Sequence, residues 1–512
     1  MHFLPGKIMY KHNLKQLEFE NFNLPFDGKL RSDNRWVKLA KFIPWEEFEV
    51  AYAKNLSGSG LGPPAMSVRI ALGALIIKEK LGTPDEETVE QIRENPYLQY
   101  FLGFTDYRDE EPFHPTMFVH FRKRFGKKAI CKIIESVNQK AIAAKKKTKN
   151  DDKGDSDSDG SGTGDEPNQG KLLIDATCTP ADITFPTDLK ILNEARKTSE
   201  KIIDILHSPH RGKLKKPRTY RKKARKQFLA IAKSKKVSKS KIRKAIRQQL
   251  GYLGRNLKTI DKLSQITSLL RLKKRMYKLL LVISEVYRQQ KWMYDQKAKR
   301  IDDRIVNIYQ PHVRPIKRGK AGAATEFGAK ISVSAIDGYT FLDRSSWDAY
   351  NESADLIEQA EAYKDRFGCY PNSIHADKIY RTRVNIKFCK KHGIRLSGPA
   401  LGRPPSLIEQ RKAAQKQVRQ DELDRIPIEG KFGQGKRRFS LSKIMSKIDC
   451  TSETAIAVVF LVMNLEKWLK SLLLSLFFLL HRFSLNDNGF PQGYQPSSDA
   501  YQFAVIGTQI GP

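Results

Sequence analysis

Cysteine is scarce in this chain and has no pattern. Five stand in 512 residues, at Cys131, Cys178, Cys369, Cys389 and Cys450. The number is odd and no C-x-x-C pair occurs, so neither a disulfide framework nor a cysteine-rich zinc module is suggested, and a reducing compartment fits best. Long apolar runs are lacking as well. The most membrane-like stretch, Ala455 to Leu480, is cut by Asn464, Glu466, Lys467 and Lys470 into pieces far short of the ~20 residues a span requires. A buried helix or helix pair is expected there, and no membrane partner. The opening residues lack the basic, apolar and small-residue order of a secretory signal, which gives an expected cytoplasmic location. Acids are the minority charge: 56 Asp and Glu face 93 Lys and Arg, for a net charge of +37. That balance points to a polyanionic partner, while 40% hydrophobic residues exclude a chain disordered throughout.

Residues 1–148 mix aromatics and charges with helical periodicity, as in MSVRIALGALIIKEKLG (66–82) and EETVEQIRENPYLQYFLGF (86–104), and read as a helical domain. A further helix is expected from 116, after Pro112, His114 and Pro115. Its cluster Arg122, Lys123, Arg124, Lys127 and Lys128 is either a solvated face or a nucleic-acid contact. The stretch 149–170, acidic and rich in Ser and Gly, reads as a linker, a flexible spacer rather than a cover for basic surface. Beyond it the texture changes to KLLIDATCTPADITFP, where Leu172 to Ile174 predict a short buried strand ending on Asp175.

The region 201–300 is helical in pattern and carries 32 Lys and Arg against four acids, so +28 of the whole charge lies there. With Tyr220, Tyr252, Tyr287 and Trp292 interleaved, it suits a surface that neutralises phosphates. Strands are expected at 304–311 and in a hairpin through Asp337-Gly338, then a helix at 353–368, a short strand SIHAD ending on Asp377, and a helix closed by Gly393. The overall expectation is an α/β chain with a basic helical insertion at about 196–300 inside a domain of 171–470, and an apolar helix with a loose tail over 471–512.

Two acids at the ends of short apolar segments, Asp175 and Asp377, and a third, Glu429, supply hard oxygen ligands of the kind Mg²⁺ takes. Two such ions clamp the attacking and leaving oxygens of a phosphoryl displacement. Arg425 lies four residues before Glu429 and Lys436 seven after, one face at helical spacing, and Lys431, Arg437 and Arg438 add positive charge. Pro427 predicts that a helix begins near it, which favours Lys436 over Arg425 as the working cation.

These residues resemble the DDE transposases of bacterial insertion sequences, in the insertion-sequence-five-like group with a helical N-terminal transposase domain. ENPYLQYFLGF and HFRKRFG are similar to that N-terminal domain. IDATCTPADITFPTDLKILNEAR, EFGAKISVSAIDG, HADKIYRTRVNIKFCKKHGIRLSGPALGRP and IEGKFGQGKRRF are similar to the segments around the first acid, the central hairpin, the second acid and the third. The resemblance implies an RNase H-like mixed sheet flanked by helices. It also implies a metal triad of Asp175, Asp377 and Glu429 using Mg²⁺, with Mn²⁺ as a substitute, and DNA contacts from Lys436, Arg425, Lys431, Arg437 and Arg438. Glu429 with Lys436 matches the E-x6-K pattern of the group. The Tyr usual three residues before the Arg is replaced by Glu422. Implied partners are double-stranded DNA, as terminal inverted repeats and target, and a second copy of the chain, near the nucleoid.

The implied activity is metal-dependent cleavage at element ends and strand transfer. The alternatives are a two-metal nuclease without strand transfer and an inert DNA-binding remnant. Lesser readings are zinc at His207 and His210 or at Cys389 and His392, each against ordinary core or surface roles. Trp347 is either a base-stacking ring or core packing, Cys178 is a small buried residue, and Gly402-Arg-Pro-Pro is a groove-reaching turn or a plain loop.

Overall fold

The computed structural model describes residues 18–25, 28–53, 65–151, 167–317, 325–399, 402 and 408–487. The body of the expected linker, from 152 to 166, the Arg-Pro-Pro of the 402–405 turn and the tail beyond 487 lie outside the described residues. Contacts divide the chain into one unit through Asn464 and a second from Leu465 onward.

Six helices open the chain: α1 Arg35–Phe42, α2 Trp45–Ala53, α3 Val68–Leu81, α4 Asp85–Glu94, α5 Pro96–Leu102 and α6 Met117–Asp151. Local signals fix their ends. Ser67 accepts from the Ile70 N–H at the start of α3, and left-handed Gly82 and Gly103 close α3 and α5. Trp36, Trp45 and Phe101 stack in their core. Arg69 is buried among them, donating to the Tyr100 and Phe101 carbonyls at the end of α5 at 2.8 and 2.9 Å. The expected single helix from 116 is broken at Gly126, whose φ of 64° and ψ of 165° kink α6, and α6 runs on into 149–151 of the expected linker. The far end of that linker is anchored, because Gln169 N–H donates to the Tyr370 carbonyl at 3.0 Å.

The sheet comprises β1 Lys171–Pro180, β2 Arg314–Lys317, β3 Thr325–Ile336, β4 Tyr339–Ser346, β5 Ser373–His375 and β6 Arg395–Leu396. β3 lies antiparallel beside β1, β4 and β2 pair with the far side of β3, and β5 and β6 follow β1 in parallel. This is a mixed α/β sheet. β1 is longer than the expected strand, so Asp175 stands mid-strand opposite Val333 rather than at a strand end. The β3–β4 hairpin turns on Asp337 (φ 52°) and Gly338 (φ 79°), as the Asp-Gly pair predicts. Gly328 is obligatory, because a Cβ there would meet the Thr179 carbonyl oxygen at 2.0 Å. The segment 304–311 is not a strand. Ile305 and Ile308 are apolar because they pack on the helical insertion, and the Asn307 side chain turns the chain by accepting from the Tyr309 and Gln310 N–H groups.

Between β1 and β2 rise α7 Asp188–His207, α8 Arg221–Ala232, α9 Lys239–Ser264 and α10 Lys274–Asp295. Leu192, Leu253, Ile283 and Val286 form one core of this bundle, and Ile203, Leu206, Ile260 and Leu280 another. Its first helix starts at Asp188 and passes the expected insertion boundary at 196 without a break. After β4 come α11 Asp355–Phe367, closed by left-handed Gly368, and α12 Arg383–Lys391. Then follow α13 Ile408–Arg438 and α14 Asp449–Asp487. The apolar run in α14 is one helix, buried through Met463. Asn464 interrupts it because its amide meets the Thr340 N–H, hydroxyl and carbonyl at 2.9, 2.9 and 2.7 Å. No helix among the described residues is long and apolar enough to cross a membrane.

The N-terminal helices are docked on the sheet region. Glu79 of α3 accepts from the Ser440 N–H at 2.8 Å, and Asn138 of α6 donates to the Thr340 carbonyl at 3.0 Å.

Candidate active site

Residues Lys171, Leu172 and Leu173 of β1 pair in parallel with Ser373, Ile374 and His375 of β5. Asp175 and Asp377 each follow the last of these pairs by two residues, Asp175 still within β1 and Asp377 past the end of β5. Asp377 stands just past the strand and caps the short turn Lys378–Tyr380, its carboxylate accepting from the Lys378 N–H at 2.6 Å.

The third acid is delivered by α13, which two carboxylates fix over the parallel half of the sheet. Asp421, buried, accepts from Arg395 of β6 at 2.8 Å and from the Gly398 N–H at 3.1 Å. Asp424 pairs with Lys171 at the start of β1 at 2.7 Å. Buried Ile428 and Phe432 complete the seat, and Glu429 is carried toward Asp175. Beneath α13 the fully buried His375 is held by Ser373 at 3.0 Å, and burial pushes its imidazole down, toward the neutral form.

The helix does not begin at Pro427. It runs through that residue, so Arg425 and Glu429 share one unbroken stretch and form an i, i+4 pair at 2.9 Å. Arg425 holds Glu429, attracts Asp175, and lines one cleft of about 60 Å³ with Asp377 and Glu422. Glu422 faces the same cleft. Lys436, Arg437 and Arg438 lie further on, along a groove of about 680 Å³ with Lys78, Arg122 and Ser440. Lys431 is half-buried between the two sets.

Asp175 is pushed up to about 6, by burial first, then by the negative charges of Glu352 and Glu429. Its bond from the Ala176 N–H at 2.8 Å and the charge of Arg425 offset part of that rise. Glu352 had no mark in the sequence beyond its place after a capping Asn351. The structure brings it in by pairing it with Lys330 of β3 at 2.7 Å. A register shift between Ser332 and Val333, opposite Asp175, bends β3 against β4 at this point.

The donor set suits a hard divalent cation, and the mutual repulsion that raises Asp175 is what such a cation relieves. Among the described residues, however, no three His, Cys, Asp or Glu side chains are close enough together to hold a metal ion. Glu429 is engaged by Arg425, and Asp377 by its own turn.

Other marked residues take structural places. Arg122 is buried and pairs with Asp85 at 2.7 Å. His207 and His210 brace the turn after α7 through the Leu214 carbonyl and the Thr267 hydroxyl. His392 packs on Tyr370 and Phe388, burial pushes the Cys389 thiol up to about 11, and Cys178 is buried. Trp347 stacks edge-on against His312 and packs on Ala181, Val306 and Val313, which is its core reading.

Comparison with known proteins gives two family matches. Residues 24–124 match the Transposase domain (DUF772), and residues 374–466, which include Asp377 and Glu429, match the Transposase DDE domain. A relative from Rhizobium meliloti, described as uncharacterized protein ORF8 in nfe locus, is 28% identical over 159 residues, 31% of this chain and 68% of its own length. No solved structure matches the chain. The chain thus carries a match to a transposase domain followed by a match to a Transposase DDE domain, which is consistent with an insertion-sequence DDE transposase.

Proposed function

We propose that this chain is a transposase that cuts DNA at the ends of its own insertion sequence and joins the freed 3′-hydroxyl to target DNA, with Asp175, Asp377 and Glu429 as its metal-binding carboxylates. The observation that supports this reading is that Arg425 of α13 pairs with Glu429, acts on Asp175 of β1, and lines one cleft with Asp377. These carboxylates would hold Mg²⁺ or Mn²⁺, which supplies a more acidic water and a counter-charge for the leaving oxygen.

The chain's own groups do the remainder. Asp175 and Asp377, on neighbouring backbone segments, fix the position of the scissile phosphate relative to the sheet. Arg425 carries a positive charge that reaches Asp175 and Glu429, and its planar fork suits a phosphate oxygen. Lys431, Lys436, Arg437 and Arg438 continue positive charge along α13 and serve the flanking strand. Because two ends must be held at once, a homodimer on DNA is part of the proposal. The N-terminal helices, tied to the end of α13 through Glu79 and Ser440, serve end recognition or assembly.

The test is to incubate the protein and Asp377→Asn with Mg²⁺ and labelled duplex bearing the ends that flank its gene. Metal-dependent 3′-end cleavage and joined products from wild type alone support the proposal. Cleavage without joining indicates a nuclease, and tight binding without cleavage indicates a remnant.

A further inference from the structure

The helical insertion carries a feature separate from the carboxylates. Along α9, Lys244, Arg247, Gly251, Arg255, Lys258 and Lys262 follow one another at spacings of three or four residues, so they share one face of the helix. All six are exposed, while the opposite face, with Ala245, Leu253 and Ile260, is buried in the bundle. The stripe extends over about 27 Å at the helical rise per residue. None of its five cations forms an ion pair among the described residues. The bundle's other acids are paired elsewhere: Asp188 with Arg304, Glu194 with Lys197, Glu200 with Arg196, Asp204 with Arg221, Glu285 with Arg288 and Asp295 with Lys291, while Asp261 borders the stripe.

Two details make this more than a solvated face. Gly251 sits in the middle of a 26-residue helix, where glycine is a poor helix former. A Cβ there would meet nothing nearer than the Arg255 guanidinium at 3.8 Å, so no packing demands glycine, and its effect is to leave the helix backbone open to a close approach. Beside it, Arg255 lies over the rings of Tyr220 and Tyr252 at 5.1 and 4.9 Å, and Arg218 lies over Tyr220 at 4.6 Å. Tyr220 holds that place with a φ of 55°, a left-handed conformation uncommon outside glycine. Two exposed guanidiniums are thus oriented on one aromatic ring.

We infer that this face of α9, with Arg218, is a second DNA surface that grips the phosphate backbone of duplex DNA without reading its sequence. Arginine forks held in place suit phosphate better than mobile ammonium groups do. The stripe has no apolar residue at its centre, which a protein interface would supply. Its apolar face is already buried, which excludes the helix lying in a lipid surface. The choice of DNA as the polyanion rests on the transposase reading above; the geometry of the stripe does not.

The test uses the full chain and a random-sequence duplex, with the affinity followed against salt. A stripe variant (Lys244→Gln, Arg247→Gln, Arg255→Gln, Lys258→Gln and Lys262→Gln) is compared with one that removes equal charge on and beside α10 (Arg271→Gln, Lys273→Gln, Lys274→Gln, Arg275→Gln and Lys278→Gln). The expected result is that the slope of log affinity on log salt becomes shallower by about 4.5 in the stripe variant, at about 0.9 for each of its five phosphate contacts, and by less than about 1 in the control. Tyr220→Phe keeps wild-type affinity, and Tyr220→Leu loses about fivefold, in line with a cation–π contact.

Equal slope changes in the two variants, or none in the stripe variant, overturn the inference. So does equally tight binding of polyglutamate, which would make the stripe a general polyanion surface. Cutting of end duplex by the wild type alongside equal slopes refutes the stripe and leaves the transposase reading standing. A slope difference without any cutting does the reverse.

Discussion

Arg425 Nη2 lies 2.9 Å from Glu429 Oε1, one turn apart on α13, with the helix carried unbroken through Pro427 between them. The pair keeps the third acid of the proposed triad beside its own counter-ion. Arg425→Gln is expected to leave Glu429 without that partner and to raise Asp175 further, because the arginine's charge is one of the influences that lower it. Single-turnover cleavage should fall by roughly 10²- to 10³-fold, the scale of losing one transition-state donor. Asp377→Asn should lose more, with binding of end duplex unchanged in a gel-shift titration. Cleavage by Arg425→Gln at the wild-type rate would remove this arginine from the site.

The raised Asp175 gives a pH dependence with a definite sign. Its folded value of about 6 lies above the ordinary carboxylate value of 3.8, so between those limits the folded chain holds the extra proton. Stability without metal therefore falls as pH rises from about 4 to 6, by at most ~3 kcal/mol before solvent screening is allowed for. Asp175→Asn should flatten that part of the curve in urea unfolding. Metal-dependent cleavage should rise over the same interval as the carboxylate forms, and a cleavage rate flat from pH 5 to 7 would contradict this.

Added Mg²⁺ is expected to raise the melting temperature of the wild type. A site at a hundred times its dissociation constant stabilises by about 2.7 kcal/mol. Asp175→Asn and Glu429→Gln should show little of that rise in differential scanning fluorimetry. Equal shifts in all three proteins would place the ion elsewhere.

Gly328→Ala tests the contact between β3 and the end of β1. Its methyl group would sit 2.0 Å from the Thr179 oxygen, so backbone must move. A loss of about 3 kcal/mol or more is expected from overpacking against main chain, read as a lower urea midpoint.

Pro427→Ala is expected to stabilise. Proline inside a helix costs about 3 kcal/mol through a missing hydrogen bond and a ring clash, and up to ~1 kcal/mol returns through its stiffness in the unfolded chain. A net gain of about 2 kcal/mol should appear in urea unfolding. A loss of stability would mean that the proline's bend is needed to seat Ile428 and Phe432.

Several elements were legible because their signals are local. The Asp337-Gly338 hairpin, the left-handed Gly393 that follows α12, and the strands at Leu172 and Ser373 follow from turn chemistry and short apolar runs. The misread segments looked alike for different causes. Ile305 and Ile308 are apolar because the insertion covers them, and one apolar run cannot tell that from a strand. Pro427 and Gly126 were misjudged in opposite ways. Packing on the sheet carries α13 through a proline, whereas the left-handed Gly126 kinks a helix that periodicity reads as continuous.

The sequence by itself determined the acids, the basic block and their order, because composition and motif spacing are properties of the chain. It did not determine which cation serves which acid. Only the tertiary structure set Arg425 against Glu429 and within reach of Asp175, because Asp421 and Asp424 fix α13 against β6 and β1 at that height. It alone brought Glu352 to Asp175 through Lys330, a contact between residues far apart in the chain, and set the stripe of α9 outward by burying its opposite face. Packing of distant segments carries no mark in local spacing, which is why these relations had to wait for the fold.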